Sequence, residues 1–168
     1  MMRTTFSIAA VFVLLAVVSP ARAADDPVRD HIVALERGAI ERWGKGDPQG
    51  FLGLMSNDET YFDPGAPKRV DGLEALRQYF APFAGKISIE RFELIDPKVQ
   101  RRGDIAVLTF NLVDYGGQLG GGPKSTVRWN TTEIYQRING QWKIVHSHWS
   151  YTKPELKQVR VFQGKERS

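Results

Sequence analysis

Cysteine is absent from this chain of 168 residues. Its absence excludes disulfide bonds, thiol nucleophiles and cysteine-ligated metals. The sequence also lacks a Gly-x-Ser-x-Gly elbow, the usual setting of a serine nucleophile in hydrolases. Its longest apolar run, residues 6–18, has 13 residues, whereas a membrane-spanning helix needs about 20. We therefore expect no membrane-embedded segment. We also expect no cofactor and no metal, since the pattern that could hold a metal, the His-x-His pair described below, is a weak signal by itself.

The N-terminal residues have the features of an export signal. Arg3 precedes the apolar run, and Ala21-Arg22-Ala23 gives the small-x-small pattern of a cleavage site. We predict a signal peptide over residues 1–23 and a mature protein in the periplasm or secreted. The remaining 145 residues suffice for a single domain, predicted over residues 24–155 and followed by a basic tail over residues 156–168.

The overall charge argues against a nucleic-acid partner. The formal net charge is +4, and it falls to +2 when Arg3 and Arg22 leave with the predicted signal. Nucleic-acid binding requires basic residues concentrated on one face, but the basic cluster of this chain lies in its tail. We therefore expect neither nucleic acid nor membrane as a partner.

Three helices are predicted in the first half of the mature chain. Asp26-Pro27 is a helix start signal, and the apolar positions that follow recur at helical spacing until Gly44. That stripe consists of Val28, Ile32, Leu35, Ala39 and Trp43. A shorter helix containing Phe51, Leu52 and Met55 is predicted after Asp47-Pro48, and a third after Asp71-Gly72. A short strand over residues 59–63 separates the last two helices.

The second half of the chain favours strands. Segments 86–95, 105–115, 124–137 and 142–151 are predicted strands, and Asn139-Gly140 between the last two indicates a tight hairpin. Helices followed by long antiparallel strands are typical of an α+β fold. Because long strands twist and coil, we predict three N-terminal helices packed on a curled, mostly antiparallel sheet. This arrangement is a cone with an internal cavity, and the glycine-rich loop 116–125 is a candidate lid.

Several segments resemble one superfamily. Residues 142–150 (WKIVHSHWS) are similar to the last strand of SnoaL-like domains, within the nuclear transport factor 2-like (cystatin-like cone) superfamily. Residues 60–64, 70–72 and 132–135 fit the same pattern. The likeness covers residues 28–152 and is strongest to the association domain of calcium/calmodulin-dependent protein kinase II and its bacterial relatives. It implies the cone fold, in a superfamily that includes ketosteroid isomerases, dehydratases, cyclases and assembly modules.

The resemblance also has implications for the charge of the pocket. The association domain carries two cavity arginines, at positions that correspond to Asn111 and Glu133 of this chain. The expected pocket has therefore lost two positive charges and gained a carboxylate. We predict that its ligand is neutral or cationic, and not an anion.

His146 and His148 are two residues apart on a predicted strand, so both should lie on one face with Trp142 and Ile144. Three interpretations remain open at this stage. The pair could bind a metal with Glu133 as a third ligand, act as a general acid or base near neutral pH, or be structural.

Asp63 is the first candidate for a catalytic carboxylate. An isomerase of this fold needs one carboxylate in an apolar pocket and a donor that faces the developing oxyanion. The available acids are Asp63, Asp114 and Glu133, and the available phenols are those of Tyr61, Tyr79 and Tyr135. The alternative for Asp63 is an aspartate that caps the turn before Pro64-Gly65.

Alternation along the strand that ends near Arg137 places one set of large side chains on a single face. Trp129, Glu133 and Tyr135 belong to this face, which the family likeness identifies as the cavity wall. Such a wall suits a ligand with a ring and a polar group. The full predicted ligand-binding set is Trp43, Tyr61, Tyr79, Asn111, Trp129, Glu133 and Tyr135. A buried Glu133 paired with Arg128, Arg137 or His146 is the alternative for that residue.

Three functions are consistent with the sequence. The first is binding of a small, ring-containing molecule in an apolar, aromatic pocket, with no reaction established. The second is an isomerase, dehydratase or cyclase that uses Asp63, His146 or His148 as the base. The third is a homo-oligomeric assembly module without a ligand. A homodimer or larger homo-oligomer is expected because apolar residues are predicted on the convex face of the sheet, namely Phe110, Leu112, Val145 and Trp149.

Overall fold

The computed structural model describes residues 27–153, so the predicted signal peptide and basic tail lie outside the described residues. The helices are α1 (Pro27–Trp43), α2 (Gln49–Leu52) and α3 (Leu73–Phe80), and a 3-10 turn (Ala81–Phe83) follows α3. The first helix has the predicted bounds. The second is shorter than predicted, because Met55 begins a strand. Within the described residues, no helix is long and apolar enough to cross a membrane.

Seven strands form the sheet in the order β2-β1-β7-β6-β5-β3, and β4 pairs with β5 beside β3. The strands are β1 (Met55–Phe62), β2 (Val70–Asp71), β3 (Ile87–Ser88), β4 (Arg91–Arg102), β5 (Ile105–Leu119), β6 (Ser125–Ile138) and β7 (Gln141–Tyr151). The strand predicted over residues 86–95 is in fact divided between β3 and β4. The predicted hairpin is confirmed, since Asn139 and Gly140 both have positive φ angles, as this tight turn requires.

The α+β class is confirmed, with one correction to the architecture. The sheet is strongly curled and mostly antiparallel, as predicted, and its one parallel pair joins β1 to β7. The correction concerns α3, which comes after β1 and β2, so the three helices do not all precede the sheet.

A β-bulge in β7 changes which of its residues face the helices. Tyr135 of β6 pairs with Ile144, whereas Ile134 pairs with His146, so Val145 is an extra residue in β7. An extra residue inverts the alternation of every position beyond it. Trp142 and Ile144 are buried before the bulge, and Ser147 is buried after it. The predicted common face of His146, His148, Trp142 and Ile144 is therefore wrong.

The inner face of the sheet packs against the helices and forms the core. Phe110 and Leu112 of β5 are buried there, and Trp149 packs against the same cluster. The prediction that these residues lie on an exposed convex face is wrong. In β5 the even-numbered residues face the helices, whereas the prediction placed them on the outer face. In β7 the bulge at Val145 turns Trp149 from the outer face to the inner face.

Three glutamates are fully buried between α1 and the sheet. They are Glu36 of α1, Glu59 of β1 and Glu133 of β6. The hydroxyl of Tyr135 donates to Glu36 Oε2 over 2.7 Å, and the hydroxyl of Ser147 lies 2.9 Å from Glu59 Oε1 and 3.2 Å from Glu133 Oε1. One oxygen of each carboxyl has no hydrogen-bond partner among residues 27–153. We call these three residues the glutamate cluster.

Burial favours the neutral form of each carboxyl in the glutamate cluster. Desolvation raises the pKa of Glu36 well above its usual value, and the charge of Glu133 raises it further. Desolvation also raises the pKa of Glu133 and brings that of Glu59 to about 8. Protons held in the cluster also supply the donors that facing carboxyl oxygens otherwise lack. The cluster therefore joins α1 to three strands in its protonated form.

We predict that the protein becomes less stable as the pH rises from about 4.5 to about 8. A carboxyl with a raised pKa in the folded state binds more protons than in the unfolded chain, so its stabilisation is lost over this window. The Tm measured by differential scanning fluorimetry should be lower at pH 8.5 than at pH 5 by roughly 5 °C or more. The lowered pKa of His146 opposes this trend only near pH 6.5.

The substitution Glu59→Gln should weaken this dependence, because glutamine keeps the acceptor for Ser147 and does not ionise, while Glu36 and Glu133 remain. Glu41→Gln, at an exposed position of α1, is the matched control and should retain the wild-type dependence. A wild-type Tm that is equal or higher at pH 8.5 would contradict the prediction.

Candidate functional site

A cavity of about 580 Å³ lies between the helices and the inner face of the sheet. It is the expected place for a ligand, because small-molecule sites are concave, mostly apolar and carry a few polar groups. Aromatic side chains dominate its described wall, which also includes Asp63 and Asp114. The aromatic residues are Trp43, Phe51, Tyr61, Tyr79, Phe80, Phe83, Trp129, Trp149 and Tyr151. The segment predicted as a lid also contributes to the wall, through Gly117 and Gln118 at the end of β5, Gly122 and Pro123 in the loop, and Ser125 at the start of β6.

Asp63 holds two tyrosines at one part of this wall. The hydroxyl of Tyr61 donates to Asp63 Oδ2 over 2.9 Å, and the hydroxyl of Tyr79 donates to Asp63 Oδ1 over 2.9 Å. The backbone N–H of Gly65 donates to the same Oδ1 over 2.7 Å. Asp63 therefore caps the turn, as the alternative interpretation held, and also lines the cavity. Burial and the charge of Asp63 together raise the pKa of both phenols, which remain protonated donors.

Asp114 of β5 is the second acidic residue on the cavity wall. Its side chain is largely buried, with 7 % of the residue exposed, and the indole Nε1 of Trp129 donates to its Oδ2 over 2.9 Å. Its Oδ1 is buried and has no hydrogen-bond partner among residues 27–153. Desolvation raises the pKa of Asp114 to about 6, although the hydrogen bond from Trp129 acts in the opposite direction. The carboxyl is thus mainly ionised at pH 7.

The charges on the described wall are of one sign. Asp63 and Asp114 line the cavity, and within residues 27–153 no lysine, arginine or histidine does. In an apolar setting, an uncompensated carboxylate attracts cations and hydrogen-bond donors and repels anions. The wall can therefore accept hydrogen bonds from a ligand and can also contact its rings.

Four of the predicted ligand-binding residues meet at this cavity, together with Asp63. They are Trp43, Tyr61, Tyr79 and Trp129. Glu133 and Tyr135 lie on the predicted inner face, but both are fully buried and neither lines the cavity. Helix α1 covers this part of β6, as the bond from Tyr135 to Glu36 shows. Their predicted position on the cavity wall is therefore wrong.

Glu133 also lacks the predicted pairing with an arginine or with His146. Its Oε1 accepts hydrogen bonds from Ser147 and from the indole Nε1 of Trp149, both over 3.2 Å. Alternation places Arg128 on the outer face of β6, and the bulge moves His146 to the outer face of β7. Glu133 contacts the cavity wall through Trp149, whose ring is part of that wall.

His146, His148 and Asn111 lie on the outer face of the sheet, opposite the cavity. His146 Nδ1 is 2.8 Å from the Thr60 hydroxyl, and Asn111 Nδ2 donates to Asn130 Oδ1 over 2.8 Å. His148 and Asn111 border a polar depression of about 360 Å³ on this face. Burial is the main cause that lowers the pKa of His146 from its usual value. Neither histidine can therefore act on a molecule bound in the cavity.

The described residues show no group of three or more histidine or acidic side chains placed to hold a metal ion. Glu133, the suggested third ligand for His146 and His148, lies on the other face of the sheet. The glycine-rich segment 116–125 is likewise not a phosphate loop that opens a helix, since it consists of the end of β5, residues 120–124 and the first residue of β6.

Sequence reasoning overlooked Glu36 and gave Asp114 too little weight. Glu36 is four residues from both Ile32 and Ile40, which are buried on the same side of α1. This i, i+4 spacing was a signal that an acid interrupts the apolar face of the helix. Asp114 continues the inward alternation of Phe110 and Leu112 in β5, so its burial could have been read from the correct phase of that strand.

Comparisons with known proteins agree on the family and the fold. The family model of the SnoaL-like domain matches residues 32–154. A crystal structure of a candidate ketosteroid isomerase from Parabacteroides distasonis is similar at 36% identity and a TM-score of 0.65, covering 80% of this chain and 95% of that one. Among curated protein sequences, none matches this chain.

Two further structures support the fold at lower identity. A candidate calcium/calmodulin-dependent protein kinase II association domain from Xanthomonas campestris has 22% identity and a TM-score of 0.64, over 80% of this chain and 94% of that one. A CaMKII hub homology domain from a Chlamydomonas alga has 23% identity and a TM-score of 0.62, over 76% of this chain and 100% of that one. The resemblance inferred from the sequence is confirmed by these findings.

We predict that Trp129→Phe raises the pKa of Asp114 above its value of about 6. Phenylalanine keeps a ring on the wall but removes the indole N–H, which is the donor that favours the carboxylate. Carbon-13 NMR titration of the aspartate carboxyl carbons would measure the change. Trp43→Phe is the control, because the indole of Trp43 contacts the rings of Phe51, Phe80 and Phe83. An Asp114 that titrates near 3.8 in the wild type would refute the assignment.

Proposed function

Because this chain belongs to the SnoaL-like domain family, we propose that it binds a small, ring-containing molecule in the cavity between its helices and sheet. The observation that carries the proposal is the wall itself, which combines many aromatic rings with two separate carboxylates. Rings on a wall of this kind pack against a ligand ring and also orient it. The carboxylates fix the polar end of the ligand.

The volume and the charge narrow the class of ligand. A cavity of about 580 Å³ is within the range typical of small-molecule sites. Its acidic wall disfavours anions, so the ligand is neutral or cationic. We further propose, from the pattern of residues 1–23, that the protein is exported and that binding takes place in the periplasm or outside the cell.

A second candidate function is proton transfer of the isomerase, dehydratase or cyclase type. Asp114 has a pKa of about 6, which is close to the optimum for a general base at neutral pH. The similar structure from Parabacteroides distasonis is itself named as a candidate ketosteroid isomerase. In such a reaction Asp114 would take the proton, and the hydroxyl of Tyr61 or Tyr79 would exchange its hydrogen bond to Asp63 for one to the developing oxyanion.

Asp63 is less suited than Asp114 to be the base, because its oxygens already accept three hydrogen bonds. The outer-face positions of His146 and His148 leave the carboxylates as the bases available to a cavity enzyme. An absorbance assay can measure conversion of a β,γ-unsaturated ketone to its conjugated isomer. Activity in this assay would distinguish an enzyme from a protein that only binds its ligand.

We also propose that the protein forms a homodimer through the outer face of its sheet. Phe62 and Ile95 are exposed at opposite sides of the polar depression on this face, with 41% and 42% of their surface accessible. Burial of these two side chains against a second copy would remove their apolar surface from water. Domains of the same fold include CaMKII hub and association domains, which assemble into oligomers.

The binding proposal predicts that the exported protein retains a ligand of a few hundred daltons in native mass spectrometry and releases it on denaturation. Val127→Trp should abolish this retained mass, because Val127 lies on the cavity wall and the larger ring would occupy the space. Val107→Trp, at a half-buried position of β5 outside the cavity lining, is the matched control. The denatured mass also tests cleavage after Ala23. The binding proposal would be contradicted if the wild-type protein retained no ligand mass and had no affinity for any ring compound in a screen.

The dimer proposal predicts a solution mass of twice the monomer by light scattering. Ile95→Lys should shift the protein toward the monomer, because a charge at this position would be buried without a partner. Leu119→Lys changes an exposed leucine at the far end of β5 and should leave the mass unchanged. A monomeric wild-type mass at micromolar concentration would contradict the proposal.

A further inference from the structure

Asp114 is the group on the cavity wall whose hydrogen-bonding capacity is least used. Trp129 occupies one carboxyl oxygen, and the other is buried without a partner among residues 27–153. A buried polar atom without a partner costs free energy, and the cost is larger for a charged group. A ligand that brings a charged donor to this carboxylate would remove that cost.

The rings around Asp114 provide a second attraction for a positive charge. Trp129 stands at 81° to Trp149, with ring centroids 5.8 Å apart, and its ring centroid is 4.7 Å from that of Tyr151. The faces of these rings carry partial negative charge, which attracts an organic cation within about 6 Å of a ring centroid. All three residues line the cavity together with Asp114.

The described wall contains no positive side chain that could neutralise Asp114 in place of a ligand. The other acidic group of the wall, Asp63, is satisfied by Tyr61, Tyr79 and the Gly65 N–H. Asp63 therefore adds negative potential but has less need of a ligand donor. The polar anchor of the site is Asp114, and not the Asp63 turn.

We infer that the ligand is an organic amine that binds as its cation, with its ammonium group at Asp114 and its ring among Trp129, Trp149 and Tyr151. This inference rests on the proposed binding function and specifies its ligand class. The site discriminates by charge, so a neutral molecule of the same shape binds more weakly. A carboxylate of the same shape is excluded.

Three indole compounds test the inference, because they differ mainly in charge. Isothermal titration calorimetry at pH 7.5 should show that tryptamine binds at least about fivefold more tightly than the neutral tryptophol. Indole-3-acetate should bind more weakly than either. Asp114→Asn should remove the preference for tryptamine, since asparagine has the same shape without the charge. Asp104→Asn, in the exposed β4–β5 turn, should preserve it.

The wild-type protein provides an independent test that needs no substitution. Lowering the pH from 7.5 to 5 protonates Asp114, whose pKa is about 6, while tryptamine keeps its charge. The ratio of tryptamine to tryptophol affinity should therefore decrease over this range. The other titratable groups of the described wall are Asp63, Tyr61, Tyr79 and Tyr151. Asp63→Asn separates the contribution of Asp63, and it should leave most of the preference intact.

Several outcomes would overturn the inference. Equal affinity for tryptamine and tryptophol, or tighter binding of indole-3-acetate, would show that the site does not select a cation. A preference that survives in Asp114→Asn but disappears in Asp63→Asn would assign the anchor to Asp63. Failure of all three indoles to bind would also contradict the inference. The proposed binding function is tested separately, by whether native mass spectrometry detects a retained ligand.

Discussion

Burial of the glutamate cluster between α1 and the sheet is the constraint on which the rest of the structure depends. The cluster connects the helix to three strands, and its contacts continue toward the cavity. Glu133 accepts a hydrogen bond from Trp149, the ring of Trp149 packs against Trp129, and Trp129 donates to Asp114. The position of the cavity wall is thus set by groups that lie behind it.

The two faces of the sheet have opposite character. The inner face is apolar and aromatic, and the charges that line its cavity are acidic. The outer face carries amide, hydroxyl and imidazole groups around a depression, with apolar residues at the sides. A ligand site on one face and a subunit contact on the other can therefore evolve separately, because few side chains serve both. This separation is consistent with the variety of functions that one fold can carry.

Local signals in the sequence determined much of the fold, whereas the candidate site depended on long-range packing. Asp26-Pro27, the stripe in α1 and the Asn139-Gly140 turn each act through neighbouring residues, and all three predictions are confirmed. The bulge at Val145 is different, because it exists only in the pairing of β7 with β6. No local pattern marks it, so His146 was assigned to the wrong face. The cover that α1 places over Glu133 likewise depends on how a helix crosses a distant strand.

Because of the extra residue in β7, the inward and outward positions alternate in opposite phase before and after Val145. Before Val145 the even-numbered residues face the core, and after it the odd-numbered residues do. Deletion of Val145 would remove the bulge without inverting the strand, because Ile144 and His146 already pair with neighbouring residues of β6. Straightening β7 with Val145 still present would be different, because either Trp142 and Ile144 or Ser147 and Trp149 would then turn away from the core. Both halves of β7 therefore contribute to one core face only because the strand has one residue more than the segment of β6 with which it pairs.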